Sequence, residues 1–249
     1  MFKEYFMLLL LGHVLGDFYL QTKEMAEKKE KSIKWVLVHC LCYWGIMLLI
    51  GLPIMSYKIV LVVTVASMMH LAIDVAKYFY LMNKKNKKLQ IKERNVFFVD
   101  QILHVLSLAF ITYWIVANDF VIRELYIIEK IFSIIGISEE LTLSWILAFF
   151  VIHKPTNIVI QKLLLAYKPV GSTDDLKKDN NVGRFIGTIE RVIMLIFLSI
   201  GQYSAIGLVL TAKSIARYDQ ISKEKDFAEY YLLGTLISTA SVIIISFVL

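Results

Sequence analysis

Long apolar segments, separated by short charged ones, organise this chain of 249 residues. Each of the first four has close to the roughly 20 residues that a helix needs to cross a bilayer. A fifth segment, Leu141–Tyr167, contains Pro155, which we expect to kink the helix. The pattern therefore predicts membrane-spanning helices. The first four segments are Tyr5–Leu20, Trp35–Leu52, Ile59–Met82 and Val96–Ala117.

The other segments suggest how these spans are connected. Residues 118–140 mix charges with apolar side chains at helical spacing, which predicts an amphipathic helix lying on the membrane interface. Residues 167–182 contain Pro169 and Gly171 and predict a solvated loop. The apolar run 185–211 is interrupted at Gly201-Gln202, and Tyr230–Leu249 is the last predicted span.

The predicted fold class is therefore all-α, a polytopic transmembrane helical bundle of about six to eight membrane segments. We divide it into four regions. These are a four-span module at 1–117, an interfacial helix plus a kinked fifth span at 118–166, a cytoplasmic loop at 167–182 and a C-terminal membrane module at 183–249.

Composition supports a membrane protein and argues against a nucleic-acid partner. Hydrophobic residues make up 58% of the chain, against about 45–50% in soluble domains. The net charge of +6 comes mainly from lysines in residues 21–34 and 83–94, between predicted spans. Basic loops of this kind are typical of the cytoplasmic side. We expect the bacterial cytoplasmic (inner) membrane, with the lipid bilayer as partner; a homo-oligomer is an open alternative.

Three histidine–aspartate pairs share a spacing of four residues, which places each pair on one helix face. An aspartate inside a membrane costs about 2.5–3.5 kcal/mol on insertion scales, so such residues generally have a function. Because successive spans alternate in direction, all three pairs and His39 are expected at one depth. The pairs are His13 with Asp17, His70 with Asp74, and Asp100 with His104.

Nitrogen and oxygen ligands without obligatory thiolate suit Zn, with Mn or Fe as alternatives. We expect a metal-bound water to be the nucleophile, with Asp17, Asp74 or Asp100 as its base. The competing interpretation is that each histidine–aspartate pair is simply hydrogen-bonded within the bundle and binds no metal. The predicted ligands are His13, Asp17, His39, His70, Asp74, Asp100 and His104.

Four further side chains are predicted to support this site. Gln21 continues the first helix face by one more step of four, and Cys42 follows His39 by three residues. Lys77 follows Asp74 by three residues and is expected to balance its charge, and Gln101 adjoins Asp100.

These motifs resemble those of a family of uncharacterised bacterial integral-membrane proteins, classed as a domain of unknown function. They also distantly resemble the membrane-bound metal-dependent hydrolases. The resemblance covers about Tyr5–Ala117 and implies a candidate metal site. It rests on His13-x-x-x-Asp17-x-x-x-Gln21, His39, His70-x-x-x-Asp74 and Asp100-Gln101-x-x-His104.

The C-terminal module carries a second group of candidate residues. Arg184, Gly187 and Arg191 fall on one helix face, and Lys213 and Arg217 are four residues apart. The four basic side chains are candidates for binding a lipid phosphate. Ordinary positive-inside anchoring is the alternative.

The leading functional prediction is a membrane-embedded, metal-dependent hydrolase acting near the cytoplasmic face. Its substrate is expected to be a lipid-linked or small ester or phosphoester. Two alternatives stay open: a transporter coupled to protons or a divalent metal, and a non-catalytic sensor or assembly subunit with a structural metal.

Overall fold

The computed structural model describes residues 1–83, 89–120, 125–167 and 175–249. These residues form eleven α-helices and no strand, which confirms the all-α prediction. The helices are α1 Phe2–Val14, α2 Lys23–Lys29, α3 Ile33–Ile50, α4 Tyr57–Asn83, α5 Leu89–Ala117, α6 Tyr126–Ile135, α7 Glu139–Leu164, α8 Asp175–Ser199, α9 Tyr203–Ala216, α10 Tyr218–Lys223 and α11 Lys225–Ser246.

Five helices of the described chain are long and apolar enough to cross a membrane: α3, α4, α7, α11 and the part of α5 from Arg94 to Ala117. The first predicted span is divided between α1 and a π-helical segment, Leu15–Leu20. Helix α9 is apolar but has only 14 residues, so it is shorter than a spanning helix.

The chain divides into two compact units, Met1–Leu147 and Ala148–Leu249, and α7 runs through the division. The first, unit 1, contains the predicted four-span module together with α6 and the start of α7. The second, unit 2, contains the rest of α7 and helices α8 to α11.

In unit 1, helices α1, α3, α4 and α5 pack around an apolar core. Along α4, Ala66 belongs to this core and His70 follows it by one turn. Along α5 the order is reversed, because His104 comes one turn before the core residue Leu108. The polar residues of these antiparallel neighbours therefore share one level, at one end of the core.

The segment that carries Asp17 has a wider turn than an α-helix. It ends at Gln21, whose backbone is extended and whose N–H donates to the Gly16 carbonyl at 3.2 Å. Single π-helical turns inside helices often mark functional sites. The polar stretch that follows contains the short helix α2, which begins where the Thr22 hydroxyl accepts a hydrogen bond from the Met25 N–H.

Helix α6 lies within the segment predicted to be amphipathic and ends at Gly136, whose φ is +73°. Helix α7 continues through Pro155. A residue with an N–H at position 155 would donate to the Val151 carbonyl. The Thr156 hydroxyl donates to that carbonyl instead, at 2.8 Å, so the lost backbone bond is replaced.

In unit 2, the predicted break is confirmed at Gly201, whose φ is +71°. Helix α8 begins at Asp175, earlier than the predicted loop end at residue 182. Pro169 and Gly171, the helix breakers of that segment, both precede Asp175, which explains the earlier start. Residues 168–174 of the predicted loop and residues 84–88 of the second basic segment lie outside the described residues.

Candidate metal centre

Four segments of unit 1 bring their histidines and aspartates into one cluster. The π-helical turn, α3, α4 and α5 each supply at least one of these side chains. All are buried except Asp17, whose side chain is 8% exposed. The cluster contains all seven predicted ligands: His13, Asp17, His39, His70, Asp74, Asp100 and His104.

The centre of the cluster consists of two imidazole nitrogens and two carboxylate oxygens. The Nε2 atoms of His39 and His70 are 3.2 Å apart. Asp17 Oδ1 lies 3.2 Å from His39 Nε2 and 3.4 Å from His70 Nε2. Asp74 Oδ2 lies 3.7 Å from His39 Nε2 and 3.4 Å from His70 Nε2. These separations are five of the six edges of a tetrahedron.

These separations are of the size found between the ligands of a metal ion. Four atoms bound tetrahedrally at about 2.0–2.1 Å are about 3.3–3.4 Å from one another. The five separations, 3.2–3.7 Å, fall around this value. Imidazole and carboxylate are also ligands that zinc accepts. His39, His70 and Asp74 together could therefore hold a metal ion, with Asp17 beside them.

A second group of ligand atoms adjoins the first and shares Asp74 with it. The other oxygen of that carboxylate, Oδ1, lies 4.0 Å from His104 Nε2. Asp100 Oδ1 lies 3.6 Å from the same nitrogen. A carboxylate that offers one oxygen to each of two groups is suited to bridging two ions.

His13 belongs to a third group, with Asp17 and His70. Its Nδ1 is 4.0 Å from Asp17 Oδ2, so the contact predicted from their spacing is present but long. Asp17 lies in the π-helical turn, and its other oxygen approaches His39 and His70 more closely. The first pair thus contributes mainly by placing Asp17 between helices α3 and α4.

Many polar atoms of the cluster are buried without a hydrogen bond in the part of the chain described. Burying such atoms is costly unless they gain partners. A cation could be the partner of Asp17 Oδ1, His104 Nε2 and Asp100 Oδ1, whereas the Nδ1 atoms of His39 and His70 are not the ring nitrogens at the centre of the cluster. The buried atoms without a hydrogen bond are both ring nitrogens of His13 and His104, Nδ1 of His39 and His70, and Oδ1 of Asp17 and Asp100.

Two lysines contact the carboxylates from the end of the cluster nearest α2. Lys29 Nζ is 2.7 Å from Asp74 Oδ2, and Lys77 Nζ is 2.8 Å from Asp100 Oδ2. The ion pair of Lys77 is thus with Asp100, while the charge of Asp74 also acts on this lysine. Lys77 projects toward α5, and α2 brings Lys29 to Asp74 instead.

The other predicted supporting residues have different positions from those expected. Gln21 does not continue the helix face, because the helix ends before it, and its Oε1 accepts a hydrogen bond from Lys29 at 3.0 Å. Cys42 is half-buried, and it is Cys40 whose Sγ lies 3.8 Å from Asp74 Oδ2. Gln101 does contribute, since its Nε2 donates to Asp17 Oδ2 at 3.4 Å.

Sequence reasoning missed Tyr43, which supports the cluster from the side of the apolar core. Its ring stacks on His70, with 3.8 Å between centroids and 8° between planes. A Cβ atom at Gly16 would lie 2.5 Å from Tyr43 Cδ2, so only glycine leaves room for this ring. The spacing of four between His39 and Tyr43 is the one signal that could have identified it.

A cleft of about 70 Å³ opens beside Asp74. Lys29 and Lys77 line it together with Gln21 and Tyr78, and two carboxylates, Asp74 and Glu30, belong to the same wall. Among the described residues, this cleft connects the candidate ligands with the surface near α2.

The basic residues predicted to bind lipid phosphate lie in unit 2 and differ from one another. Arg191 is buried, whereas Arg217 is exposed and Arg184 is half-buried. Lys213 Nζ lies 2.6 Å from Glu190 Oε2, so it does not act with Arg217 as an unpaired couple.

Comparison with known proteins connects the cluster to a family. No curated protein and no solved structure matches the chain. Residues 5–132 match the family described as "Protein of unknown function (DUF3307)". This match covers just over half of the chain and includes every residue of the cluster. The chain therefore belongs to the DUF3307 family of proteins of unknown function.

Proposed function

We propose that this protein is a membrane-embedded, metal-dependent hydrolase that cleaves a phosphoester. The observation that carries the proposal is the buried convergence of His39, His70 and Asp74, with Asp17 Oδ1 3.2 Å from His39 Nε2. His104, Asp100 and the second oxygen of Asp74 would hold a further ion. The five long apolar helices support a multi-pass location, which we assign to the bacterial cytoplasmic membrane.

A bound cation would make the charge of the site compatible with an anionic substrate. Asp17, Asp74, Asp100 and Glu30 outnumber the ammonium groups of Lys29 and Lys77 by two charges. One bound divalent cation would cancel that surplus. Once a cation neutralises Asp74, Lys29 can turn from it toward the cleft that it already lines, while Lys77 stays on Asp100. The new partner of Lys29 would be an oxygen of the phosphoester.

The residues around the cleft also suggest how protons move. A bound divalent ion lowers the pKa of a coordinated water and polarises a phosphoryl oxygen. Where the further ion is absent, Asp100 Oδ1, which is buried without a hydrogen bond among the described residues, would accept the proton of the attacking water. Lys77 holds the other oxygen of Asp100 and orients the carboxylate. The ammonium group of Lys29 would transfer a proton to the leaving oxygen, which departs as an alcohol.

The first test is elemental analysis of the detergent-purified protein beside the double variant His70→Ala/Asp74→Ala. His153→Ala is a matched control, because His153 is the one histidine of the chain outside the cluster. We expect a stoichiometric divalent metal in the wild type and in the control, and its loss in the double variant.

The second test measures hydrolysis of soluble and lipid-linked phosphoesters by the metal-loaded protein. We expect activity that the double variant lacks although it stays folded, as judged by its helical circular dichroism. Full activity in the double variant would refute the proposal. A metal that cannot be removed without unfolding the protein, with no activity, would favour a structural metal in a sensor or assembly subunit.

A transporter is the second candidate, because the three ligand groups overlap and form a continuous row from His13 to Asp100. Such a row can pass a cation or a proton from one group to the next. Uptake of a divalent metal or of protons by liposomes containing the protein, without hydrolysis, would favour this function.

A further inference from the structure

Unit 2 buries a positive charge that forms no ion pair with a described carboxylate. Arg191 of α8 is only 2% exposed. Its guanidinium donates to Asn157 Oδ1 at 2.8 Å, to Thr188 Oγ1 at 3.2 Å and to Ser238 Oγ at 3.3 Å. All three acceptors are neutral, so they satisfy some N–H groups but not the charge.

No carboxylate oxygen of the described side chains lies within 4.0 Å of this guanidinium. The adjacent acidic residue, Glu190, is already paired with Lys213 at 2.6 Å. An unpaired buried charge is among the most costly features that a folded protein can contain. Its presence therefore indicates that a negative group binds there.

Unused donors occur on the guanidinium and on the helix face of α11 that contacts it. Arg191 Nε is buried and makes no hydrogen bond among the described residues. On α11, Tyr231, Thr235 and Ser238 are spaced by four and three residues, so they share one helix face. Ser238 contacts Arg191, and the buried hydroxyls of Tyr231 and Thr235 have no hydrogen-bond partner in the described part of the chain.

Gly187 lets the guanidinium lie close to α8. It precedes Arg191 by one turn of the helix, and a Cβ atom there would lie 3.3 Å from Arg191 Nη1. A side chain larger than hydrogen would thus crowd the guanidinium. The position of the charge is therefore set by the helix that carries it.

We propose that unit 2 binds a phosphate group at Arg191, with the Tyr231 and Thr235 hydroxyls as further donors. The planar fork of a guanidinium matches two phosphate oxygens, and hydroxyl donors suit the remaining ones. One negative charge would restore neutrality. The phosphate can belong to a lipid headgroup or to free phosphate, because both present the same oxygens. This inference does not depend on the metal centre of unit 1.

The test uses the full chain, purified and delipidated in detergent. Calorimetry measures binding of inorganic phosphate in one arm and of dihexanoyl phosphatidylglycerol in the other. We expect saturable binding of at least one probe. Phosphate binding alone would identify free phosphate as the source, and binding of the lipid alone would identify a headgroup. Either result supports the site, whereas binding of neither probe overturns it.

Variants then locate the bound group. We expect Arg191→Gln to weaken binding by at least about tenfold, because a charge-assisted fork is lost. Tyr231→Phe and Thr235→Val should weaken it by about threefold each, since each removes one hydrogen bond. Lys223→Gln is the control, because Lys223 is an exposed basic residue of the same unit. It should bind as the wild type does.

The hydroxyl variants keep the proposal testable if Arg191→Gln fails to fold. With no bound anion, removing a buried hydroxyl that makes no hydrogen bond is neutral or stabilising. With an anion, the same change reduces the rise in melting temperature that the bound probe causes. An unchanged ligand-induced rise in both Tyr231→Phe and Thr235→Val would overturn the proposal.

Discussion

The two units of this protein bury charges of opposite sign. In unit 1, three carboxylates meet four histidines and only two lysines, and many of the unsatisfied atoms are acceptors or ring nitrogens. In unit 2, the guanidinium of Arg191 meets only neutral acceptors, and the unsatisfied atoms nearby are donors. Both groups are buried, so water cannot easily supply the missing partners.

The charge of the buried group that lacks a partner therefore indicates the class of ligand. A cluster with surplus carboxylate attracts a cation, and a surplus guanidinium attracts an anion. Removing a negative charge should therefore weaken metal binding in unit 1 and strengthen phosphate binding in unit 2. Four predictions follow this contrast, in order of decreasing effect.

The largest effect is expected for Asp74→Asn, which removes the carboxylate that serves two ligand groups. We expect the affinity for a divalent metal to fall by at least about 100-fold, since even residues behind the ligands contribute about 10–100-fold. Competition with a fluorescent chelator measures it. Asp226→Asn, on the exposed start of α11, is the control. Wild-type affinity in Asp74→Asn would exclude this carboxylate as a ligand.

A smaller loss is expected for Gly16→Ala, which changes no charge. The new methyl group would push Tyr43 away from His70 and misalign that imidazole. We expect metal affinity to fall about tenfold, as for other residues that orient ligands. Gly45→Ala is the matched control, because nothing lies within 4 Å of a Cβ atom there. Equal affinities in the two variants would mean that Tyr43 has no role in orienting His70.

A gain is expected for Lys29→Met, which removes a cation that competes with a metal for Asp74 Oδ2. Metal affinity should rise by about threefold to tenfold, the size expected for one partly screened charge. The same chelator competition detects it, with exposed Lys31→Met as control. A lower affinity would show instead that Lys29 positions the carboxylate for the metal.

The counterpart in unit 2 is Glu190→Gln, which leaves Lys213 without its partner near the proposed phosphate site. Phosphate binding should tighten by about twofold to threefold, as expected when a nearby negative charge is removed. Calorimetry measures it, and Glu229→Gln, an exposed glutamate of α11, is the control. Weaker binding in Glu190→Gln would contradict a positive surplus at this site.

Much of the fold and of the cluster could be predicted from the sequence, because both depend on simple periods. The length of each apolar segment predicted a membrane-spanning helix. The spacing of four residues between a histidine and an aspartate placed both on one helix face. Alternation of the helices then required His70, Asp100 and their neighbours to share a level. The break at Gly201 followed from glycine beside a polar residue.

The exact partners could not be predicted, because they depend on how the helices turn against one another. A π-helical turn sends Asp17 toward His39 and His70 and ends before Gln21. The rotation of α3 exposes part of Cys42 and brings Cys40 to Asp74 instead. Lys29 reaches Asp74 only because the polar segment forms α2.

By itself, the sequence determined that the chain is helical, that its helices are long and apolar, and that histidine and aspartate gather at one depth. Only the tertiary structure decided which oxygen faces which nitrogen, that Arg191 has no carboxylate beside it, and that Tyr43 fits against Gly16. The physical reason is that hydrophobicity and helical period act along one segment. Charge pairing and van der Waals fit instead act between segments whose rotation and spacing are set by packing.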